Sequence, residues 1–390
     1  MADKITPHQL DLYSANMASL YNSLEGEILR ILIKRLRGGS SNITVWQAEK
    51  LRDLHLFNDE VATELSKLTG VAYAEIERMF QETGIEMVND IDSYMPYQIL
   101  PVPTTIDNVM RGYFEQSWSE IDNYVNQTLV STNYGYRSIA TITYQNALNR
   151  TTAYFLTGMN TIDEALEKAI TEMAQQGIRT TLVDKGGHTW SLERYVRTVL
   201  KSTSSNAYNQ IRTERMDEYG VHTVQVTSHM GARDACSKIQ GNVVDLRPPE
   251  ALPIDSKYKS IYDGYWNAEY GEAGGHRGIN CAHLHIPFID GVNTNNQPQF
   301  DEEENAEVAR NRDRQRELER RIVKYKKNLM VAERMESQNT EHWRSMVSKS
   351  QKAMRDHLKE NGKHLRRNYK REKVYTPLNN LLLDFSYSDF

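Results

Sequence analysis

Residues 181–291 constrain the fold most, because their hydrophobic pattern changes from strand to helix and back to strand. Residues 180–190 are predicted to form two short strands around an Asp-Lys-Gly-Gly turn, since glycine adopts the positive φ that tight hairpin turns require. Ser191 is suited to cap the helix that follows, and Gly220 is suited to end it. The sequence His-Thr-Val-Gln-Val-Thr-Ser then alternates as a half-buried strand does. These signals together predict a compact α+β module.

Helical patterns flank this module on both sides. Apolar residues recur every three or four positions before it, and a long stretch almost free of Gly and Pro follows Asp301. The predicted fold class is α+β, with a mainly helical N-terminal region, the compact module and a long, charged, helical C-terminal extension. The predicted divisions are a helical region at 1–178, the module at 179–292, a linker at 293–300, a basic helical arm at 301–373 and an apolar tail at 374–390.

Capping residues, glycines and prolines predict where individual helices begin and end. Thr44 and Thr161 are each expected to cap a helix, because a threonine followed three residues later by Gln or Glu forms a capping box. One helix is expected to start after Asn58, and another to stop near Gly84. The stretch 96–103 should interrupt the helices, since proline removes a donor and disfavours the preceding helical turn.

The C-terminal extension allows two packing modes. Apolar residues keep a heptad rhythm for about two heptads, fewer than a coiled coil normally requires. A helical arm or hairpin packed on a partner and a self-associating coiled coil both remain open. The tail is either a docking peptide or a segment that folds back onto its own chain.

Charge is distributed unevenly along the chain. The formal net charge is −5, yet residues 321–373 contain sixteen Lys and Arg against six Asp and Glu. Such a concentration permits salt-sensitive contact with double-stranded DNA, although no base-reading motif accompanies it and a charged helix is commonly a solvated surface. The candidate DNA-binding residues are Lys324, Lys326, Lys327, Arg366, Arg367, Lys370 and Arg371.

Length and composition exclude several classes of protein. The 390 residues are enough for two or three folding units, and no run is apolar enough to span a bilayer, so no membrane partner is expected. The N-terminus lacks the basic-then-apolar pattern of a signal peptide, which predicts cytosolic synthesis. Two cysteines cannot build a disulfide framework, and a reducing compartment is therefore expected.

Both cysteines and six of the eleven histidines lie within the module. Thiolate and imidazole are the ligands that zinc prefers, and alternation along a strand would place three of these side chains on one face. The spacing of these residues matches no standard zinc finger. The alternative to a metal site is that the same side chains are buried or hydrogen-bonded without a metal. The candidate metal ligands are Cys236, His276, Cys281, His283 and His285.

A metal-dependent hydrolase or nuclease is the alternative function. Asp234 and Glu269 could join the histidines at an open metal site, as such enzymes require. No local signature such as His-Glu-x-x-His, phosphate-binding loop or dinucleotide fingerprint is present. No residue can therefore be assigned a catalytic role, and we expect no enzymatic activity. We also expect no obligatory cofactor, and zinc is the one candidate for a bound metal.

Three blocks of the module carry a resemblance to a known family. They are residues 184–209 (DKGGHTWSLERYVRTVLKSTSSNAYN), 226–244 (VTSHMGARDACSKIQGNVV) and 267–291 (NAEYGEAGGHRGINCAHLHIPFIDG). In this order they resemble the minor capsid proteins of tailed phages of Gram-positive bacteria, relatives of the Mu F-type minor head proteins. The resemblance covers roughly the first three-quarters of the chain. Two departures are Ala282, where the family usually has Arg, and residues 201–203, where Arg-Thr-Thr is more typical.

The resemblance implies a function that the residues alone do not give. It implies a non-enzymatic virion component inside the head near the portal vertex, acting in head assembly, DNA packaging or DNA ejection. The implied partners are the portal protein and other head or scaffold proteins, with the helical region as the portal-binding part. Double-stranded DNA would then face the basic arm.

Overall fold

The computed structural model describes residues 7–95, 100, 106–130, 138–183, 187, 189–278, 281, 283–378 and 380. The helices there are α1 (Pro7–Leu36), α2 (Ile43–Arg52), α3 (Leu54–Asp92), α4 (Ile106–Ile121), α5 (Gln127–Val130), α6 (Ile139–Leu156), α7 (Ile162–Gln176), α8 (Leu192–Glu218), α9 (Asp234–Ser237), α10 (Glu302–Met335) and α11 (Thr340–Glu360). The strands are β1 (Arg179–Val183), β2 (Thr189–Ser191), β3 (Thr223–Val226), β4 (Val243–Asp245) and β5 (His285–Pro287). This is the predicted, mainly helical α+β class.

The main hydrophobic core is formed around α1. Its apolar residues recur at three- and four-residue intervals, so that one face buries a continuous stripe against α3 and α8. The same core takes in residues of α4, α6 and α7, and it also includes Val331 and Met335 of α10. The helical region and the long helix of the predicted module therefore share one core, which continues across residue 178.

Two predicted helix boundaries in the N-terminal region are wrong. Asn42, rather than Thr44, caps α2, because the Asn42 side chain accepts hydrogen bonds from the amides of Thr44 and Val45. The two helices predicted around Asn58 and Gly84 are one helix, α3. Gly84 does not end it, because it lies where α3 meets α4: a Cβ there would be 2.9 Å from Cγ of Met110. This glycine allows two helices to approach closely.

Other predicted boundaries are confirmed. Thr161 caps α7 in a reciprocal capping box with Glu164. The helices are interrupted between α3 and α4, although residues 96–99 and 101–103 of the predicted break lie outside the described residues. Residues 184–186 and His188 of the predicted hairpin, and the family-divergent Ala282, also lie outside them.

The module contains the predicted order of hairpin, helix and strand. Strands β1 and β2 pair antiparallel, with Arg179 opposite Ser191, and the Ser191 hydroxyl accepts a hydrogen bond from the Arg194 amide to cap α8. Strand β3 then lies between β4 and β5 in an antiparallel sheet of order β4-β3-β5. A second hydrophobic core covers this sheet with side chains that include Met216, Trp266 and, from the end of α3, Ile91.

Buried ion pairs join α3 to α8. Arg215 forms a two-pronged contact with Asp92, with Nε to Oδ1 at 2.7 Å and Nη2 to Oδ2 at 2.8 Å. Arg212 donates from Nη1 to Oδ2 of Asp90 at 2.6 Å. All four side chains are at most 6% exposed. A charge this deeply buried is tolerated because its partner is in place, so the pairs fix the register of α8 against α3.

The C-terminal extension is a helical hairpin packed on its own chain. Leu318 and Ile322 of α10 pack with Met354 of α11 in a small third core, and α10 also contacts α7. The partner of the predicted hairpin is thus this chain's own helical region.

The start of the predicted apolar tail folds back onto α1. Leu378 is buried in the main core. The Tyr375 hydroxyl hydrogen-bonds to Glu27, and its ring lies over Gly26, where a Cβ would overlap it. Of the two alternatives for the tail, residues 374–378 therefore adopt the folded-back one.

Removing one member of the Arg215–Asp92 pair should destabilise the fold strongly. Arg215→Met leaves a buried carboxylate without its guanidinium, which typically costs about 3–5 kcal/mol. Replacing both residues, with Asp92→Leu added, should recover most of that loss. Urea unfolding checks this against Arg344→Ala, which breaks an exposed pair with Glu341 and should cost less than about 1 kcal/mol. Equal losses for the two single variants would contradict the role given to the pair.

Glu25 on α1 is a buried carboxyl at the start of α8. Its side chain is 4% exposed, and its Oε1 accepts a hydrogen bond from the Glu193 amide at 3.4 Å. Burial raises the pKa of Glu25 from its ordinary 4.5 to about 7, against the opposing charge of Lys327. The folded protein therefore holds this proton more tightly than the unfolded chain does.

The Glu25 carboxyl should make stability fall as pH rises. Its contribution is fully present below pH 4.5 and is lost as pH rises through about 7, because the folded state must then bury a charge. The loss is on the order of 3 kcal/mol. Glu25→Gln should flatten this part of the profile of unfolding free energy against pH, whereas the exposed Glu341→Gln should leave it unchanged. An unaltered profile in Glu25→Gln would refute the assignment.

Candidate functional site

Four of the five predicted metal ligands meet at one point. Cys236 lies on α9, which follows β3, whereas His276, Cys281 and His283 lie in the loop that leads into β5. One ligand atom from each of the four lies within 4.8 Å of all the others. The two chain segments converge because β3 and β5 are neighbours in the sheet. Residues separated by 47 positions in the sequence thus share one site.

The two sulfurs and one imidazole are in direct contact. The Sγ atoms of Cys236 and Cys281 are 3.9 Å apart, and Sγ of Cys281 is 3.4 Å from Nδ1 of His283. Hydrogen bonding between the sulfurs lowers the pKa of Cys281 and raises that of Cys236. His276 and His283 lower the pKa of Cys281 further. The cluster therefore favours a thiolate at Cys281.

The fifth predicted ligand, His285, lies behind His276 instead of among the four. The Nε2 atoms of these two histidines are 2.9 Å apart and both rings are buried. His285 stays neutral, because burial and the nearby charge of Arg277 lower its pKa well below the ordinary value. A neutral His285 can accept a hydrogen bond from Nε2–H of His276 and so fix the orientation of that ring.

Gln240 is an outer hydrogen-bond partner of His283, as His285 is of His276, and the sequence analysis did not predict this role. Its Oε1 lies 3.1 Å from Nε2 of His283 and also accepts a hydrogen bond from the His229 amide at 3.1 Å. The His229 ring stacks on His283 with centroids 4.4 Å apart. No local signal marks Gln240, because an amide side chain is ordinary at a turn and its role arises from the convergence of two loops.

The predicted alternation along a strand is wrong in its details. Of Cys281, His283 and His285, only His285 lies in β5. Cys281 and His283 precede the strand in an irregular loop, and their side chains reach the cluster through the path of that loop. The strand is short because its pairing with β3 ends at Val226.

A cleft of about 380 Å³ opens beside the cluster, between the module and α10. Its walls include Cys236, Cys281 and His283, and also Asp234, one of the carboxylates considered for a hydrolytic site. Glu269, the other, is exposed and does not belong to the four-residue group. Residues 231 and 232 are held to α10 by Asn305, whose Oδ1 accepts from both their amides at 2.8 and 3.0 Å.

The predicted DNA-binding residues form two sets that the fold brings together. Lys326 on α10 donates to the carbonyl oxygen of Glu372 at 2.7 Å, which places the 3₁₀ segment Tyr369–Glu372 against that helix. The Arg367 guanidinium forms two hydrogen bonds, at 2.8 and 2.7 Å, with the buried Glu372 carboxylate. These two cations are therefore engaged in holding the segment in place.

The remaining basic candidates differ in exposure. Lys327 is half-buried and its charge acts on Glu25, whereas Arg366 is exposed and donates to the Leu365 carbonyl oxygen. The other three are exposed. They are Lys324, Lys370 and Arg371.

None of the described helices is long and apolar enough to cross a membrane.

The chain is similar in sequence to a class of virion structural proteins. Residues 5–359 match the family model described as phage minor capsid protein 2, and the chain belongs to that family. The resemblance found in the sequence is thereby confirmed.

Two curated relatives agree with this assignment. A protein named "Structural protein" from Lactococcus phage LL-H is 32% identical over 371 residues, covering 92% of this chain and 98% of the relative. Another "Structural protein", from Lactococcus phage mv4, is 36% identical over 122 residues, covering 31% of this chain and 95% of that relative. No solved structure matches the chain. The protein is therefore a structural component of a phage capsid.

Proposed function

We propose that this minor capsid protein lies inside the phage head near the portal vertex, where it contacts the portal protein and the packaged DNA during assembly, packaging or ejection. Membership of the minor capsid family over most of the chain carries the proposal. The exposed basic residues near the C-terminus support an interior position, because packaged DNA is the polyanion they would meet there.

The geometry of the Cys/His cluster supports a structural role over the hydrolytic alternative. A catalytic metal keeps an open coordination position for water or substrate, usually with three protein ligands. Here four protein ligand atoms converge, which leaves no such position in tetrahedral coordination. We therefore propose that the module is non-enzymatic.

The turn between α6 and α7 is the proposed contact with the portal protein. Leu156 and Met159 are 70% and 85% exposed there, and neighbouring large apolar side chains in water commonly mark a binding surface. The helical region cannot simply be deleted to test the contact. Its first helix, α1, shares the main core with α8, so truncation would expose that core.

Point substitutions test the portal contact instead. The double variant Leu156→Asp/Met159→Asp should fold normally and should lose co-purification with the portal protein of the same phage, because charge replaces the apolar contact. Ile254→Asp is the matched control, since Ile254 is a fully exposed apolar residue of the module. Undiminished co-purification of the double variant would move the contact elsewhere. Failure of the wild-type protein to bind would overturn portal association itself.

Lys324 and Lys370 are the proposed first contacts with DNA. Both side chains are exposed, whereas Lys326 and Arg367 are engaged with Glu372. Because Lys326 draws the 3₁₀ segment onto α10, charges from both parts of the basic stretch contribute to one surface. Such a surface would bind the phosphate backbone without reading sequence.

The salt dependence of DNA binding tests this surface. Lys324→Ala/Lys370→Ala should weaken binding to a random duplex and lower the slope of log affinity against log salt by about 2, since each lost phosphate contact removes about 0.9. Fluorescence anisotropy at several salt concentrations measures the slope. Lys257→Ala/Lys259→Ala removes the same charge from exposed lysines of the module and should leave the slope unchanged. Equal slopes in both double variants would reject the surface.

A further inference from the structure

We propose that Cys236, His276, Cys281 and His283 bind one structural zinc ion, which fastens the α9 turn to the loop before β5. This goes beyond the portal and DNA contacts and does not depend on them. The proposal stands on the donor set, on the nitrogens that face the centre, and on the outer hydrogen bonds that orient both imidazoles.

The donor set fits zinc in kind and in charge. Two thiolates and two neutral imidazoles are a common ligand set of structural zinc sites. Two thiolates neutralise the ion, so a buried complex carries no net charge. This suits the surroundings, because the half-buried guanidinium of Arg277 lies beside the cluster, where a positive charge is costly to bury. A site with a net positive charge would add to that cost.

The two ring nitrogens of His276 differ in what they contact. Its Nε2 is engaged with Nε2 of His285 at 2.9 Å, whereas its Nδ1 is buried and lacks a hydrogen-bond partner among the described residues. An orphaned buried nitrogen is costly, and metal coordination satisfies it. We place the ring proton of His276 on Nε2, where it is donated to Nε2 of His285, so that the Nδ1 lone pair is left for the metal.

His283 is prepared in the same way. Its Nε2 faces Oε1 of Gln240, an acceptor whose position is fixed by the His229 amide. The ring proton therefore lies on Nε2, and Nδ1 presents a lone pair 3.4 Å from Sγ of Cys281. Each imidazole thus has an outer partner that selects the metal-binding tautomer, as in known zinc sites.

The four ligand atoms would have to move little to bind zinc. Zinc–sulfur bonds of about 2.3 Å and zinc–nitrogen bonds of about 2.0 Å place tetrahedral ligand atoms roughly 3.3–3.8 Å apart. The four ligand atoms already lie within 4.8 Å of one another, and the two measured pairs within the group are 3.9 and 3.4 Å apart. The adjoining cleft, which three of the ligands line, gives the ion a path of entry.

The ion would supply stability where the module has little of its own. Strands β3, β4 and β5 are three or four residues long, and most of the chain between β4 and β5 is irregular. Small units with a limited core commonly depend on a metal or a disulfide. Zinc would tie two loops whose ends are anchored in the sheet, so its binding free energy becomes folding free energy of the module.

The first measurement uses the wild-type full-length protein purified without chelator. Elemental analysis should give about one zinc per chain. A chromogenic thiol reagent should find both cysteines protected, and both should react after a strong chelator removes the metal. The chelated protein should also melt at a lower temperature and recover when zinc is returned. Metal-free protein that takes up no zinc on titration would overturn the proposal, as would a disulfide between Cys236 and Cys281 in the native protein.

Variants then identify the ligands. Cys236→Ser and His276→Gln should each lower zinc content at limiting zinc by at least about tenfold, because each removes a ligand. His285→Gln should keep the stoichiometry at saturating zinc and weaken affinity about 10–100-fold, as expected of an outer partner. His222→Gln is the matched control, since His222 is a histidine of the module that pairs with Asp217 and does not belong to the group, and this variant should bind zinc normally.

Cobalt substitution reports on geometry even where a variant folds poorly. Cobalt added to the chelated wild-type protein should produce the thiolate charge-transfer band and the intense visible bands of a tetrahedral sulfur–nitrogen site. A spectrum typical of octahedral oxygen ligation would overturn the assignment. So would equal zinc content in His276→Gln and His222→Gln.

Discussion

The buried contacts between α3 and α8 determine where the rest of the structure lies. Asp92 and Arg215 face each other with almost no exposure to solvent, and Asp90 faces Arg212 one helical turn earlier on α8. Neither side chain of a pair could be buried alone, so the two helices pack in one register. Because α8 leads directly into β3, that register also sets the position of the sheet on the helical body.

The Cys/His cluster depends on that placement. Strand β3 supplies the path to α9 and Cys236, and β5 pairs with β3 at the end of the loop that contains the other three residues. Asn305 of α10 closes the site from the other side by holding residues 231 and 232. The helical hairpin is thus part of the same body as the module.

Local signals in the sequence predicted the elements whose causes are local. The capping box at Thr161, the cap at Ser191 and the strand at β3 each follow from a few adjacent residues, and each is confirmed. Gly84 failed as a helix end because its role is contact with Met110 on another helix. The sequence did not predict that Cys236 and His283 would lie close together, because their spacing matches no standard zinc finger. The pairing of strands in the sheet brings them together.

Periodicity and capping in the chain were sufficient for its helical α+β class, the resemblance of three sequence blocks indicated its family, and composition and charge gave the residue types of its sites. The sequence did not show which basic residues were available to bind DNA. Lys326 and Arg367 are distinguished from the others only by their contacts with Glu372 in the fold. The sequence could not reveal Gln240 or the separate position of His285, because both depend on the distance between loops far apart in sequence. Side-chain chemistry is a property of each residue, whereas contacts between distant residues require the whole fold. In this protein the Cys/His cluster and the joint between α3 and α8 both consist of such contacts.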